Sequence, residues 1–560
     1  MPAAVLTDAL ERLRDALRAA PLRLELPGAE AARTGARGVA DQIDDYVLPR
    51  LRQMDAPLLM VVGGSTGAGK STLVNSLVGT EVSPAGVLRP TTRAPVLACH
   101  PDDMQWFAGD RILPGLPRTT GGAAAPGGLE LTPTDRLPPG LALLDAPDID
   151  SVVEANRTLA AQLLAAADAW LFVTTAARYA DAVPWDLLQA ARDRGTALAL
   201  VLDRVPPEAA HEVTAHLAQM LAERGLPDTP LHVVPETRLD DGLLPPEALR
   251  PVRAWLDELA ADAQARSGLV QRTLTGALDS LPPRAGAVAA AVDEQVEAAA
   301  RLQQAVDAAY DEAREEVDRA VRDGSLLRGE VLARWHDVVG TGDLMRTLES
   351  RVGWLRDRVR SFMTGVPPAD AELRSAVQSG VDAVVQAAAD RAAERSAAAW
   401  RGLPGGRALL ADAARMDAAS AALPEETDAE VRAWQAFVFD LVREEGAGKR
   451  TTARLASLGV NGAGLTVMIA VFASTGGLTG AEVVVAGGTS ALGQKVLEAI
   501  FGDQAVRTLA ARARDDLLAR VERLLAGEAG RFRERLAPVA PDPDAADRLR
   551  AAVREVEQSR

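Results

Sequence analysis

The chain has 560 residues, with 61 lysines and arginines against 78 aspartates and glutamates, so its net charge is −17. This length exceeds one ordinary hydrophobic core, and we expect about three domains. Hydrophobic residues make up 48% and charged residues 25%, which excludes a wholly disordered chain, while the acidic balance argues against a general nucleic-acid binder.

Residues 1–55 predict helices that pack on a later helical region as a neck. Four leucines recur at alternating steps of four and three residues, which places them on one helix face: Leu6, Leu10, Leu13 and Leu17. Pro21 and Pro27 separate this helix from a second apolar pattern: Val39, Ile43, Val47 and Leu51.

Residues 56–250 predict a domain in which strands alternate with helices. Six apolar runs predict strands over 58–62, 96–99, 141–144, 170–174, 198–202 and 231–234. Helical segments such as 155–167 and 207–222 fall between them. This alternation predicts a mostly parallel sheet with helices on both faces. Residues 104–140, which are rich in glycine and proline, are interpreted as one long loop of this domain.

The segment that follows the first predicted strand matches the phosphate-binding loop pattern G-x-x-x-x-G-K-[ST], and a predicted helix comes next. Backbone amides and the helix N-terminus would surround a polyphosphate there. Lys70 would contact the β- and γ-phosphates, and the Ser71 hydroxyl would bind Mg²⁺. Nine residues are predicted to bind nucleotide: Gly64, Ser65, Thr66, Gly67, Ala68, Gly69, Lys70, Ser71 and Thr72.

Two later segments predict the rest of the metal site. Residues 89–93 read Arg-Pro-Thr-Thr-Arg and lie where a switch threonine closes over Mg²⁺ and the γ-phosphate. Thr92 is the first choice for that role and Thr91 the second, and the two arginines are either transition-state cations or surface residues. Asp145, at the end of an apolar strand, fits the carboxylate that holds Mg²⁺ through water.

The base-binding element is expected after the strand over 198–202. The sequence there reads Asp203-Arg204-Val205-Pro206, and Asp203 or Arg204 would contact or stack on the base. The alternative is an ordinary turn from strand to helix. The segment is not the N-K-x-D element that reads guanine, so these residues leave the choice between GTP and ATP open.

Residues 251–450 predict a helical stalk with breaks at Pro282-Pro283, Pro367-Pro368 and Pro404-Gly405-Gly406. Residues 451–502 come next, and no charged residue occurs from 455 to 481. Three interpretations stay open for this apolar segment: a membrane-inserting hairpin, a hairpin buried inside the helical domain, and a two-pass anchor. Residues 503–560 return to amphipathic helix and are expected at the neck.

The motifs together resemble the dynamin-like large GTPases, and bacterial members in particular. The resemblance rests on the loop with the following Asn75-Ser76-Leu77-Val78-Gly79, on Arg-Pro-Thr-Thr-Arg, and on Asp145-Ala146-Pro147. It implies an α/β P-loop GTPase head with a mostly parallel sheet, plus a long all-α helical bundle or stalk. It also implies Mg²⁺ and GTP, and pairing of heads with a second copy or a paralogous dynamin-like partner. Membrane lipid would be remodelled or tethered, with the late apolar segment as paddle.

The expected location is the cytoplasm, at the inner face of the plasma membrane. Cys99 is the only cysteine, so no disulfide can form within the chain, which is typical of a reducing compartment. The first residues lack a basic segment followed by an uninterrupted apolar core, so we expect no signal peptide.

Several positions depart from the family pattern. Thr66 and Gly67 stand where dynamins have the glutamine and serine that help position the catalytic water, which leaves fast hydrolysis open. Lys70, Thr92 and Thr66 are the residues expected at the reacting phosphate. Asp148 replaces a switch glycine, and it would either point away or help hold a cation. The alternative function is therefore a soluble P-loop NTPase, using ATP or GTP, that acts as a regulatory switch or a weakly hydrolysing scaffold for protein partners.

Overall fold

The computed structural model describes residues 3–83, 94–109, 111–113, 115–120, 128–151, 154–193, 195–322, 368–411, 415–445 and 503–560. The chain divides into two compact units. The first comprises Met1–Leu22, Gly28–Glu294 and Pro541–Arg560, and the second comprises Arg23–Pro27 and Gln295–Ala540. The predicted fold class is confirmed, since a mostly parallel sheet with helices occurs together with a long helical region.

The strands of the first unit are β1 Leu58–Gly64, β2 Val96–Cys99, β3 Arg118–Thr120, β4 Leu129–Pro133, β5 Leu141–Asp145, β6 Ala169–Thr175, β7 Ala197–Val205 and β8 Leu231–Pro235. Within the described part of the chain they form one sheet in the order β3-β4-β2-β5-β1-β6-β7-β8. Neighbouring strands are parallel, apart from the antiparallel pair of β2 and β5. All six predicted strands are confirmed, and β1 lies inside the sheet with its carboxyl end leading into the phosphate-binding pattern.

The α-helices of the described ranges are, in chain order, α1 Ala3–Arg18, α2 Ala29–Gln42, α3 Leu48–Arg52, α4 Lys70–Val78, α5 Met104–Phe107, α6 Glu154–Ala165, α7 Ala182–Asp193, α8 Ala210–Glu223, α9 Pro246–Ala261, α10 Ala263–Arg322, α11 Pro368–Gly402, α12 Gly406–Leu410, α13 Leu423–Glu445, α14 Asp503–Leu536 and α15 Ala545–Ser559. A π-helical turn, Ile43–Val47, joins α2 to α3.

Helices cover both faces of the sheet because the side chains of each strand alternate between the faces. Leu59 and Val61 of β1 join an apolar core that contains residues of α6, α7 and α8. Met60 and Val62 join a second core, with residues of α4 and α9. Both cores are buried, so β1 and the loop that follows it have a rigid support.

The prediction of one long loop over 104–140 is wrong. This range contains α5, β3 and β4, and β4 pairs with β2 in parallel register. In β4, Leu129 and Leu131 are buried while Glu130 and Thr132 are half-buried, which is the alternation of a strand. The surrounding glycines and prolines obscured this short pattern in the sequence.

The predicted break at Pro282-Pro283 is also wrong, because α10 continues through both prolines. Leu281, Ala285 and Val288 of this helix are buried in a core with α1, α2 and α15. Burial of this face offsets the backbone hydrogen bonds that the prolines cannot donate. The same core contains the predicted leucine face of α1: Leu6, Leu10, Leu13 and Leu17.

The second unit has a core in which tryptophans are anchored by hydrogen bonds. Trp400 Nε1 donates to the Leu302 carbonyl at 3.0 Å, and Trp434 Nε1 donates to the Ala513 carbonyl at 2.7 Å. The predicted break at Pro404-Gly405-Gly406 is confirmed, since α11 ends at Gly402 and α12 begins at Gly406. No helix in the described ranges is long and apolar enough to cross a bilayer. The apolar segment 451–502, for which a hairpin was one of the expectations, lies outside those ranges.

Candidate functional site

The phosphate-binding pattern folds as a loop between β1 and α4, at the carboxyl edge of the sheet. Gly64 has a φ of +151° and Gly69 a φ of +97°. A Cβ atom at Gly64 would overlap the Val173 carbonyl oxygen, and a Cβ at Gly69 would overlap the Asp203 carboxylate. Only glycine avoids both the strain and the overlap at these positions. At these two positions the loop therefore approaches its neighbours through backbone alone.

Lys70, the first residue of α4, folds back under the loop. Its Nζ donates to the carbonyl oxygens of Gly64 at 3.0 Å and Ser65 at 3.2 Å. The side chain is only 5% exposed. The ammonium group is thus held at the point where the loop amides and the N-terminus of α4 converge, which favours an anion.

Asp148 does not point away from the loop, because its carboxylate forms an ion pair with Lys70. The Asp148 side chain is 22% exposed, so water screens this pair less than an ordinary surface pair. The Asp148 carboxylate thereby binds the Lys70 ammonium group, which the sequence pattern assigns to phosphate.

A second carboxylate of the same segment, Asp150, binds the middle of the loop. The backbone N–H and the hydroxyl of Thr66 both donate to Asp150 Oδ1, at 2.6 and 2.7 Å. Arg178 donates to the Thr66 carbonyl at 2.7 Å and to Asp150 Oδ2 at 3.0 Å. Partial burial raises the pKa of Asp150, but the hydrogen bonds from Thr66 and Arg178 outweigh it and hold the pKa below its ordinary value.

Asp150 and Arg178 were not predicted from the sequence. Asp150 carries a weak signal, since it follows Asp145 and Asp148 in one short acidic segment. Arg178 carries none, because it comes from the segment after β6 and reaches the loop only through the fold.

The predicted metal residues Ser71 and Asp145 are in contact. Ser71 Oγ donates to Asp145 Oδ2 at 2.7 Å, and Ser83 Oγ, which was not predicted, donates to the same oxygen at 2.6 Å. Asp145 is fully buried, and burial raises the pKa of its carboxyl group despite both hydrogen bonds. Its Oδ1 has no hydrogen-bond partner within the described residues. An unpaired buried carboxylate oxygen is costly unless a ligand compensates it.

These oxygen donors fit Mg²⁺, which typically takes one or two protein ligands and completes its shell with phosphate and water. In the described ranges, no group of three or more histidines, cysteines, aspartates or glutamates is placed to hold a metal ion by itself. A divalent cation at Asp145 would thus depend on oxygens from a bound phosphate. Thr92, the other predicted metal ligand, lies outside the described residues.

A cavity of 580 Å³ opens beside the loop, and this volume is typical of small-molecule sites. It is lined by Thr66 and Gly67 of the loop, by residues at the carboxyl ends of β6 and β7, and by residues that follow β6, β7 and β8. Arg204 lines the cavity and donates to the Gly67 carbonyl, with a φ of +53° that is uncommon for arginine. The cavity is therefore continuous with the phosphate-binding pattern.

The two predicted base residues differ in position. Arg204 lines the cavity, whereas Asp203 is buried against the loop with its Oδ2 beside Gly69. Burial raises the pKa of Asp203, and its Oδ1 lacks a hydrogen-bond partner among the residues that the structure describes.

No known protein family matches this chain, and no curated protein matches it. Among solved structures, it is similar to a chain of an oligomerised bacterial dynamin pair described as sensing and tethering membranes. The identity is 8%, the coverage 100% of this chain and 96% of that chain, and the TM-score 0.40.

The chain is also similar to Era in complex with MgGDPNP and part of 16S ribosomal RNA, at 19% identity and a TM-score of 0.25. That match covers 36% of this chain and 57% of the Era chain. An Aquifex aeolicus Era variant bound to GDP·AlF4⁻ matches at 18% identity, with a TM-score of 0.25 and coverage of 36% and 56%. Similarities at this level do not assign the chain to a family, and its function has to be inferred from the geometry of the loop.

Proposed function

We propose that this chain binds a Mg²⁺·nucleoside triphosphate at residues 64–72 and hydrolyses it, with GTP as the substrate. The observation that carries the proposal is the convergence of Lys70, Ser71 and Asp145 at the point where β1 passes into α4. Parallel sheets typically bind ligands at the carboxyl ends of their strands. The preferred place is the point where the connections from two adjacent strands run to opposite sides of the sheet.

In this proposal, water attacks the γ-phosphorus and the bond from that phosphorus to the β–γ bridging oxygen breaks. The nucleoside diphosphate is the leaving group, and inorganic phosphate is the other product. Lys70 exchanges Asp148 for the β- and γ-phosphates, and the loop amides bind the remaining phosphate oxygens. Ser71 and Asp145 would hold Mg²⁺, which neutralises phosphate charge when bound. Thr66 and Thr92 remain the proposed contacts of the reacting phosphate.

A second candidate is a slow or inactive nucleotide switch, using ATP or GTP, that acts through protein partners. Two features of the loop favour this candidate. The Thr66 hydroxyl donates its hydrogen bond to Asp150, and Gly67 has no side chain. Neither residue has a side-chain group free to orient water, so this part of the loop supports binding better than rapid hydrolysis.

Binding and hydrolysis can be separated by experiment. We expect purified wild-type protein to bind a fluorescent GTP analogue with Mg²⁺, and Lys70→Ala to lose that binding. Arg250→Ala, which changes an exposed cation of α9, serves as the matched control and should bind normally. Competition with unlabelled ATP tests the nucleotide preference, and phosphate release tests turnover. Binding without release would favour the switch, and binding that survives Lys70→Ala would remove both candidates.

We further propose that the helical stalk over 251–450 and the uncharged residues 455–481 couple the head to a second copy, or to a paralogous dynamin-like partner, and to membrane lipid at the cytoplasmic face. The support is the sequence pattern described above. Wild-type protein should pellet with liposomes and Met468→Glu should not. Met54→Glu, at an exposed position of the first unit, is the matched control. Equal pelleting of the three proteins would remove the membrane proposal.

A further inference from the structure

The carboxyl end of β7, together with Pro206 after it, lacks a carboxylate at the position from which guanine would be read. Its sequence, Asp203-Arg204-Val205-Pro206, ends in proline, and its one aspartate is buried against Gly69. Pro206 nevertheless lines the 580 Å³ cavity, at the place where the base of a bound nucleotide is expected. The carboxylate that would bind guanine from this position is missing.

Glu236 lies next to that position in space. β7 and β8 are parallel neighbours, with Val205 in register with Pro235. The Glu236 backbone N–H donates to the Val205 carbonyl at 2.9 Å, which fixes Glu236 beside Pro206. Both residues line the cavity.

Glu236 is the one carboxylate among the described residues that line this cavity. Two arginines also line it, but Arg178 is bonded to Asp150 and Thr66, and Arg204 is bonded to Gly67. In the part of the chain that the structure describes, the Glu236 side chain forms no hydrogen bond or ion pair. Its carboxylate is therefore available to a ligand in the cavity.

The chemistry of a carboxylate selects among purines. It offers two acceptors side by side, which match the N1–H and the 2-amino group of guanine as a charge-assisted pair. Adenine presents an acceptor at N1, and hypoxanthine lacks the amino group. Xanthine has a carbonyl group at position 2, which a carboxylate repels and an amide can bind.

We propose that Glu236 supplies the base-reading carboxylate of this site and gives it a preference for guanine. The proposal rests on the nucleotide binding proposed above and adds its specificity. Glu236 would act from the end of the neighbouring strand, β8, while Asp203 lies buried beside Gly69 of the phosphate loop.

The test is competition against a ribose-labelled fluorescent GTP, with full-length protein and Mg²⁺. Unlabelled GTP, ITP, XTP and ATP are compared on wild type, Glu236→Gln and the control Glu212→Gln, which changes an exposed acid of α8. Thermal unfolding checks that the three proteins are equally folded.

We expect wild type and the control to prefer GTP over ITP and ATP by about 10- to 100-fold, as loss of a charged hydrogen bond implies. Glu236→Gln should lose most of that preference and bind XTP at least about as well as GTP. Unchanged ratios in Glu236→Gln, with nucleotide still bound, would overturn this inference and leave the proposed nucleotide site standing. Absence of binding by every nucleotide to wild type would overturn both.

Discussion

Replacing Asp148 with asparagine removes the negative charge that holds Lys70 in the nucleotide-free loop. The pair is shielded, with side-chain exposures of 5% for Lys70 and 22% for Asp148. A triphosphate that binds Lys70 has to break this pair and also meets the repulsion of the carboxylate. Wild type bears both costs, whereas Asp148→Asn lacks the repulsion and has only a hydrogen bond from Lys70 to a neutral amide to break.

The magnitude follows from Coulomb's law. Unit charges 4 Å apart interact by about 4 kcal/mol at an effective dielectric constant of 20 and by about 1 kcal/mol in water. Because Asp148 is partly exposed and asparagine can still accept a hydrogen bond, we expect a net gain of about 1–2 kcal/mol, or about 5- to 30-fold tighter nucleotide binding. In the nucleotide-free protein, the same change leaves a buried ammonium with carbonyl partners only, so the free energy of unfolding should fall by about 1–3 kcal/mol.

Isothermal titration with a non-hydrolysable GTP analogue and Mg²⁺ measures the first effect, and denaturant unfolding measures the second. Asp228→Asn, which neutralises an exposed carboxylate before β8, is the control and should change neither quantity. The two effects have opposite signs, so a general loss of structure cannot imitate them. Equal or weaker nucleotide binding by folded Asp148→Asn would refute the reasoning.

Three further substitutions have expected outcomes. Asp145→Asn should raise the free energy of unfolding by about 1–3 kcal/mol, because it removes a buried charge. It should also weaken Mg²⁺-dependent nucleotide binding by about tenfold or more. Denaturant unfolding checks the first effect, and nucleotide titration with and without Mg²⁺ checks the second. Burial raises the pKa of Asp45 from 3.8 to about 6, so the folded protein favours the protonated carboxyl group. The free energy of unfolding therefore has its full value below pH 3.8, and the contribution of Asp45 is lost as the pH rises through 6. Asp45→Asn should therefore be more stable than wild type by up to about 3 kcal/mol at pH 7.5, with a gap that shrinks toward pH 4 in urea titrations. Gly69→Ala should lose nucleotide binding and at least about 2 kcal/mol of stability, whereas Gly286→Ala, with open space around it in α10, should be neutral or slightly stabilising.

Local pattern was sufficient to predict six of the eight described strands and the loop. Buried parallel strands appear as short apolar runs, and the spacing from Gly64 to Ser71 is dictated by the phosphate that such a loop surrounds. Asp145 was predictable because it ends one of those runs. The short strand β4 was missed since its alternation covers few residues and glycine-rich sequence precedes it.

The contacts that define the site could not be predicted because they join distant parts of the chain. Arg178 meets Thr66 across 112 positions, and Lys70 meets Asp148 across 78. Glu236 lines the cavity only because β8 lies next to β7. No periodicity or motif encodes these distances, which arise from the strand order.

A crystal structure of the full chain with Mg²⁺ and a non-hydrolysable GTP analogue tests the central claim most directly. The account predicts phosphates on the amides of residues 64–72, Lys70 Nζ on phosphate oxygen in place of Asp148, and Mg²⁺ at Ser71 and Asp145. A nucleotide bound elsewhere, with the Lys70–Asp148 ion pair intact, would contradict it.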